Sequence, residues 1–581
     1  MNDLSPKKQP NGIWPGAAVV IGLILLFGGQ QIWKWANSPR DLQRLAKKFS
    51  SIYAYMEPPV VNHAGTAIGM IRNTPNGPGI FIADLVDKKE RMICVTNDAA
   101  DIGQPHVYGW SLDDATFVYR WNVALHFVNA AGTPIQGEIS TPYMVGFTWL
   151  SVNSCVYIDS GTNDENGVQV AVARKIDTGW RETTNWPLTT IKGKPKALLA
   201  VDTNTVAWIA DSAIWQMNVS SGKIQKLYSN TNGDITSLAY SGDTGTYLFV
   251  QATRRSRTST LFTLFNGTRT QESDGKSMIE DAKWIDHGKS CIYRVNDGDN
   301  SFLLSRELAK NKEAKFFPRF QIYDSSCHDN DSRVYVFASR TNEAPSLWQC
   351  DVATGNTSRL LTPWGFKDAP VCFQPALDGY APMPNKHFNH FVLIPPADFS
   401  RQKKYPLVIG MQGYDWMNVA HATYSQALAN CGAYVALTGY HYTRQSTDAL
   451  LDYTNNVMAV YNQMAKNPNV DTSRVYIFAF SSSTIVVNCL IEAHPSLWRG
   501  AMLFNPTAPL PTPNAKHFPK LLVTAGSDEE WLWKQFPAYK GKMAQAGIAV
   551  ETHVHADTGH IERSQNTLNE RAMLMGKFVF E

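Results

Sequence analysis

The 581-residue chain has no Cys-x-x-Cys pair. Its 8 cysteines (Cys94, Cys155, Cys291, Cys327, Cys350, Cys372, Cys431 and Cys489) are scattered, so the spacings of a zinc or redox site are missing and neither a metal nor a cofactor is implied. An even count in an exported protein leaves both disulfides and buried free thiols open. A charge excess is also lacking. Lys plus Arg number 53 against 50 Asp plus Glu, which removes the electrostatic case for a nucleic-acid partner. Charged residues make up only 18 %, while 17 Trp, 23 Tyr and many Asn and Thr suit a β-rich protein with polar turns. With 44 % hydrophobic residues the chain is of the ordered globular kind, and it is too long for one core.

Lys7 and Lys8 precede a stretch from Trp14 to Trp35 that holds an unbroken apolar run from Ala17 to Gly29. As a helix the stretch reaches roughly 33 Å, enough for a bilayer core of about 30 Å, and the flanking tryptophans suit the interfaces. A cleaved signal peptide is the competing reading. No small-x-small site follows directly, Ala36-Asn37-Ser38 being the nearest candidate, so a transmembrane anchor over residues 14–35 behind a tail of residues 1–13 is expected. Lys34, Arg40, Arg44, Lys47 and Lys48 outnumber the two leading lysines, and the positive-inside rule alone would keep the body inside. Folded domains after a start anchor are often translocated regardless, and the expectation is a single-pass membrane protein with its globular part extracytoplasmic. Residues 36–60 form a linker in which Leu42, Leu45, Ala46, Phe49 and Ile52 share one face of a helix, placed to pack on the C-terminal domain.

From residue 61 to 365 there is no helix-length apolar periodicity. Short aromatic and β-branched runs alternate with turns rich in Asp, Gly, Asn and Thr. A unit recurs: compare Tyr108-Gly-Trp-Ser-Leu-Asp-Asp-Ala-Thr-Phe-Val-Tyr with Ala282-Lys-Trp-Ile-Asp-His-Gly-Lys-Ser-Cys-Ile-Tyr. Starts near Trp110, Trp149, Leu199, Ala239, Trp284 and Tyr323, spaced about 40 to 50 residues apart, have the period of four-stranded propeller blades. With a half-blade around Gly79 to Val95, about seven blades are expected. A propeller names no chemistry.

Residues 366–581 alternate strands and helices, the pattern of a mostly parallel sheet. Arg474-Val-Tyr-Ile-Phe-Ala-Phe feeds a helix through Ala479-Phe480-Ser481-Ser482-Ser483. A nucleophile elbow, normally Gly-x-Ser-x-Gly, sits on such a strand-to-helix turn, and Ser481 is in register although both glycines are replaced. Lys520-Leu-Leu-Val-Thr-Ala-Gly leads to Ser527, Asp528 and Glu529, where a carboxylate would orient an imidazole. Val550-Glu-Thr-His-Val-His then leads to Asp557-Thr-Gly-His560, so Ser, acid and His follow in α/β-hydrolase order. His553 and His555, inside the strand, read as structural.

These motifs, confined to residues 405–562, resemble the catalytic domain of prolyl oligopeptidases, and the order anchor, propeller, hydrolase is similar to the dipeptidyl-peptidase branch. The resemblance implies Ser481 as nucleophile, His560 as general base and Glu529 or Asp528 as acid. Alignment to the family's Gly-x-x-Asp favours Glu529; side-chain type favours Asp528. Its oxyanion segment, usually His-Gly-Gly or Tyr-x-Gly, is here Gln412-Gly413-Tyr414, with the Tyr414 hydroxyl and the Ser482 N–H as candidate donors. The stretch from Leu503 to Phe518 is short and proline-rich where the family's peptidases build an aromatic proline pocket. Two functions are implied: a serine hydrolase acting on peptides or small esters, or an inactive homologue serving as an accessory subunit of a membrane complex.

Overall fold

The computed structural model describes residues 59–581 apart from 76, 96–104, 142, 161–167, 189–194, 232, 254–257, 298–299, 329–330, 340–342, 363–364, 368–372, 384–387, 412–418, 439–448, 508, 513–517, 557 and 561–563. The expected anchor, linker helix and Gln412–Tyr414 segment lie outside the described residues. Among the described residues no helix is long and apolar enough to cross a membrane.

The first half of the structure is a seven-bladed β-propeller. Five blades are separate four-stranded antiparallel sheets, and the last two share one seven-stranded sheet. The sharing comes from the 16-residue strand Lys312–Cys327, whose first part pairs with Asn300–Glu307 and whose last part pairs with Arg333–Ser339. The other first strands are Val60–Val61, His106–Trp110, Met144–Ser151, Lys196–Asp202, Gly233–Ser241 and Met278–Ile285. All six starts read from the sequence fall on a first strand. The half-blade around Gly79 to Val95 is instead a complete blade. Its short first strand Val60–Val61 and its second, Ala67–Thr74, carry too little of the recurring aromatic pattern to show in sequence.

Neighbouring blades are stitched by buried serines. Ser259 Oγ donates to the Ile279 carbonyl at 2.8 Å and accepts from its N–H, and Ser301 Oγ bridges Phe320 O and Ile322 N in the same way. The ring closes differently. The first blade is built from residues 60–95, and among the described residues the last strand, Thr357–Leu361, pairs only with Ser346–Asp351. Side chains hold this seam: Val61, Ile68, Met70 and Phe81 pack with Tyr335, Leu347 and Leu361, and the His63 and His328 rings stack at 4.4 Å.

The second half carries an eight-stranded sheet. Its strands are β1 (Leu377–Pro382), β2 (Phe388–Ile394), β3 (Tyr405–Met411), β4 (Tyr434–Thr438), β5 (Val470–Phe480), β6 (Gly500–Phe504), β7 (Lys520–Gly526) and β8 (Val550–His555), in the order β1-β2-β4-β3-β5-β6-β7-β8. β1 and β2 are antiparallel and the rest parallel, the α/β-hydrolase arrangement. Central strands are apolar throughout because both faces are covered. One face packs on α2 (Ala449–Met464), α3 (Thr484–Ala493) and α5 (Phe536–Gln545), the other on α1 (Val419–Asn430) and α6 (Gln565–Phe580). A short helix α4 (Glu530–Trp533) follows β7. Functional groups in such a sheet gather at the carboxyl ends of the parallel strands.

Candidate active site

Strand β5 ends at Phe480, and the chain turns so sharply that Ser481 takes φ +55, a left-handed conformation that costs a non-glycine residue about 1–3 kcal/mol. Helix α3 starts three residues later, and Thr484 Oγ1 donates to the Ser481 carbonyl at 2.6 Å, locking the turn from below. Ala479, fully buried, and Ser483 stand where elbow glycines are usual, and the turn closes around their small side chains.

Strand β7 ends at Gly526, where an added Cβ would lie 2.3 Å from both the Thr558 and Gly559 carbonyl oxygens. Glycine there lets the loop after β8 press against β7. Backbone bonds fasten that approach: Ser527 N to His555 O at 2.9 Å and Asp528 N to Thr558 O at 3.2 Å. Helix α6 is capped by Ser564, whose Oγ accepts from Thr567 N at 3.0 Å, so the loop carrying His560 is held at both ends.

The three elements bring Ser481, His560 and Glu529 together. His560 Nε2 lies 2.8 Å from Ser481 Oγ, and its Nδ1 lies 2.6 Å from Glu529 Oε1. Glu529 is 6 % exposed, and its Oε2 accepts from Gly526 N at 3.4 Å. Because Glu529 can only accept when ionised, Nδ1 carries the proton and Nε2 faces the serine hydroxyl as acceptor. Asp528 faces solvent and meets Ser527 Oγ at 3.3 Å. Of the two adjacent carboxylates, Glu529, the one that chain alignment favoured, is the one that meets His560. Ser482 is exposed beside Ser481; Tyr414, the other candidate oxyanion donor, lies outside the described residues.

His553 and His555 flank Glu570 of α6, at 2.9 Å and 2.7 Å. Among the described residues this is the group of three that could hold a metal ion, with its donor atoms within 4.8 Å of one another. The geometry fits a clamp on the carboxylate better: His555 Nδ1 bonds Glu570 Oε2, and His553 Nε2 lies close to Oε1. A metal on His555 Nδ1 would make Nε2 a buried donor, yet that nitrogen has no hydrogen-bond partner, whereas ligating imidazoles hand their second N–H to an acceptor. Burial lowers the His555 pKa to about 4, and the two nearby imidazoles lower Glu570 to about 2, so a carboxylate faces a neutral His555 ring at pH 7.

Among the described residues Cys94, Cys155, Cys291 and Cys350 are free thiols, and burial pushes Cys291 and Cys350 up to about 12. In the propeller a 510 Å³ cavity is lined by Thr236, Ser237, Met278, Glu280, Asp281 and Arg294 among others; none is a candidate site residue. Two residues behind the site went unread in the sequence. Asn505, after β6, bonds the His560 carbonyl, and Arg571, inside α6, bonds Asn505. An Asn closing a strand just before a proline was the available signal for the first; a helical arginine carries none.

The fold, a seven-bladed propeller followed by an α/β-hydrolase domain, has the architecture of the prolyl oligopeptidase family. No protein-family model matches the sequence, and no curated protein is detectably similar to it in sequence. Solved structures do match. A prolyl endopeptidase superposes with a TM-score of 0.71 at 11 % identity, covering 95 % of this chain and 94 % of that one. Pyrococcus horikoshii acylaminoacyl peptidase gives 0.65 at 12 % over 92 % and 96 %, and Porphyromonas gingivalis dipeptidyl peptidase 4 gives 0.56 at 10 % over 90 % of each. At such identities the likeness establishes a shared fold.

Proposed function

We propose that the protein is a membrane-anchored serine hydrolase of the peptidase type, acting on short peptides or small esters admitted past the propeller. The observation that carries this is the Ser481–His560–Glu529 relay, with contacts of 2.8 and 2.6 Å on a serine held at positive φ. Ser481 Oγ attacks the acyl carbon while His560 Nε2 takes its proton, and Glu529 stabilises the imidazolium that forms. The Ser482 N–H, beside the nucleophile, is the candidate donor to the oxyanion. Collapse passes the proton from His560 to the leaving amine or alcohol. Water, activated by the same imidazole, then releases the acyl group.

Fluorophosphonate labelling of the purified full chain tests this, with Ser481→Ala as control. Labelling lost in the variant supports the hydrolase. A folded protein that neither labels nor turns over any peptide or ester supports instead an accessory subunit of a membrane complex, the reading favoured by the Ala and Ser in place of elbow glycines.

The apolar stretch from Trp14 to Trp35 carries the anchor, with the body outside the cytoplasm. Protease added to intact cells or spheroplasts then digests the body; a protected body with an accessible N-terminus reverses this topology.

A further inference from the structure

Arg571, in the middle of α6, is 0 % exposed, as is Asn505, the residue after β6. The arginine Nη2 donates to Asn505 Oδ1 at 3.2 Å and to Thr524 Oγ1 at 3.1 Å. Its guanidinium carbon lies 4.7 Å from the Phe504 ring centre and 5.9 Å from that of Phe480, the residue before Ser481. Asn505 sits at φ +45, its N–H bonded to Thr524 O at 2.9 Å. Its Nδ2 donates to His560 O at 2.5 Å and reaches Gly559 O at 3.5 Å.

These contacts fix the direction of the amide. A guanidinium only donates, so Oδ1 must face Arg571 and the NH2 must face the two carbonyls of the histidine loop. Swapping the amide ends would set donor against donor and acceptor against acceptor. A packing role on α6 would be filled as well by an apolar side chain, because a buried cation pays for its desolvation. Burial lowers Arg571 to about 10, which still leaves it charged at neutral pH.

We propose that Arg571 and Asn505 are positioning residues for the base: Arg571 orients the Asn505 amide, which grips the His560 carbonyl and holds the ring between Ser481 and Glu529. The inference rests on the reading of Ser481, His560 and Glu529 as a catalytic triad. A 1 Å displacement of a reacting group costs on the order of 100-fold in rate, and that is the scale of loss expected when the grip is released.

The test uses the full chain with Arg571→Met, Arg571→Lys and Asn505→Gly, glycine being the residue that keeps positive φ at position 505. Arg571→Met and Asn505→Gly each lower kcat and the rate of fluorophosphonate labelling at Ser481 by about 100-fold, with KM nearly unchanged. The double variant is no slower than either single one, because both cut the same chain of contacts. Arg571→Lys recovers part of the loss. Folded variants that label at the wild-type rate, that raise KM at constant kcat, or whose effects multiply would overturn the proposal. If Arg571→Met does not fold, Asn505→Gly decides. A wild-type protein that does not label sinks the triad reading itself, and this inference with it, an outcome distinct from wild-type labelling that the variants leave untouched.

Discussion

Replacing Glu529 by glutamine exchanges one oxygen for an NH2 in a side chain that is 6 % exposed and 2.6 Å from His560 Nδ1. Volume and packing stay the same, so stability changes little. The chemistry does not. An amide carries no charge to stabilise the imidazolium, and if its NH2 turns to Nδ1 the ring must carry its proton on Nε2, pointed at the serine it should deprotonate. Amide replacement of a triad carboxylate costs about 10⁴-fold in kcat, or about 5.4 kcal/mol of barrier. Asp528→Asn is the internal control: its carboxylate faces solvent and meets Ser527 Oγ, so activity stays within about threefold, as for ordinary surface changes. The assay is the rate of fluorophosphonate labelling and of ester hydrolysis, with melting temperature recorded for each variant. Wild-type activity in Glu529→Gln beside an inactive Asp528→Asn would refute the assignment of the acid.

Three further outcomes are expected. Ser481→Gly relieves the positive-φ strain and is about 1 kcal/mol more stable than Ser481→Ala, while both are inactive; equal denaturation midpoints would show the turn unstrained. His555 is held neutral by burial, its pKa lowered to about 4, so the unfolded chain binds a proton that the native one refuses. Stability therefore falls as pH drops from about 6.5 towards 4, by up to about 3 kcal/mol from this group. Glu570, lowered to about 2, loses its own contribution only as pH falls from about 4.5 towards 2. His555→Asn, which keeps a donor to Glu570, should flatten the upper window in thermal melts between pH 7 and 4.5; an unchanged slope would count against the clamp. Finally, the purified protein will not strongly prefer Gly-Pro or Ala-Pro chromogenic substrates. The Leu503–Phe518 stretch is short for a proline pocket, and the only adjacent glutamates, Glu529 and Glu530, lie in the turn after β7 and not in the propeller. Efficient Ser481-dependent cleavage of those substrates would contradict this.

Much of the architecture was legible because it repeats or alternates. Trp110, Trp149 and Trp284 each lie buried in the first strand of a blade, and their recurrence marks the repeat. Strand β7 was legible to its ends, Lys520 to Gly526, since a strand buried on both faces is an unbroken apolar run bounded by turn residues. That Ser481 and His560 would meet could be read from their places after strand ends in a fixed chain order.

What the one-dimensional pattern could not decide was which side chains meet. Asp528 and Glu529 are adjacent and chemically alike; only the turn after Gly526, pressed against the Thr558 and Gly559 carbonyls, sends one inward and the other to solvent. The seam between the first and last blades, closed by side chains such as Phe81 and Tyr335, left no repeat to read. Arg571 and Asn505 are 66 residues apart, and their joint hold on His560 arises where α6, β6 and the histidine loop converge. Local sequence sets strand, turn and helix through steric and hydrophobic periodicities of two to four residues, whereas hydrogen bonds across long loops depend on how finished layers stack, and that is settled only when the whole domain has packed.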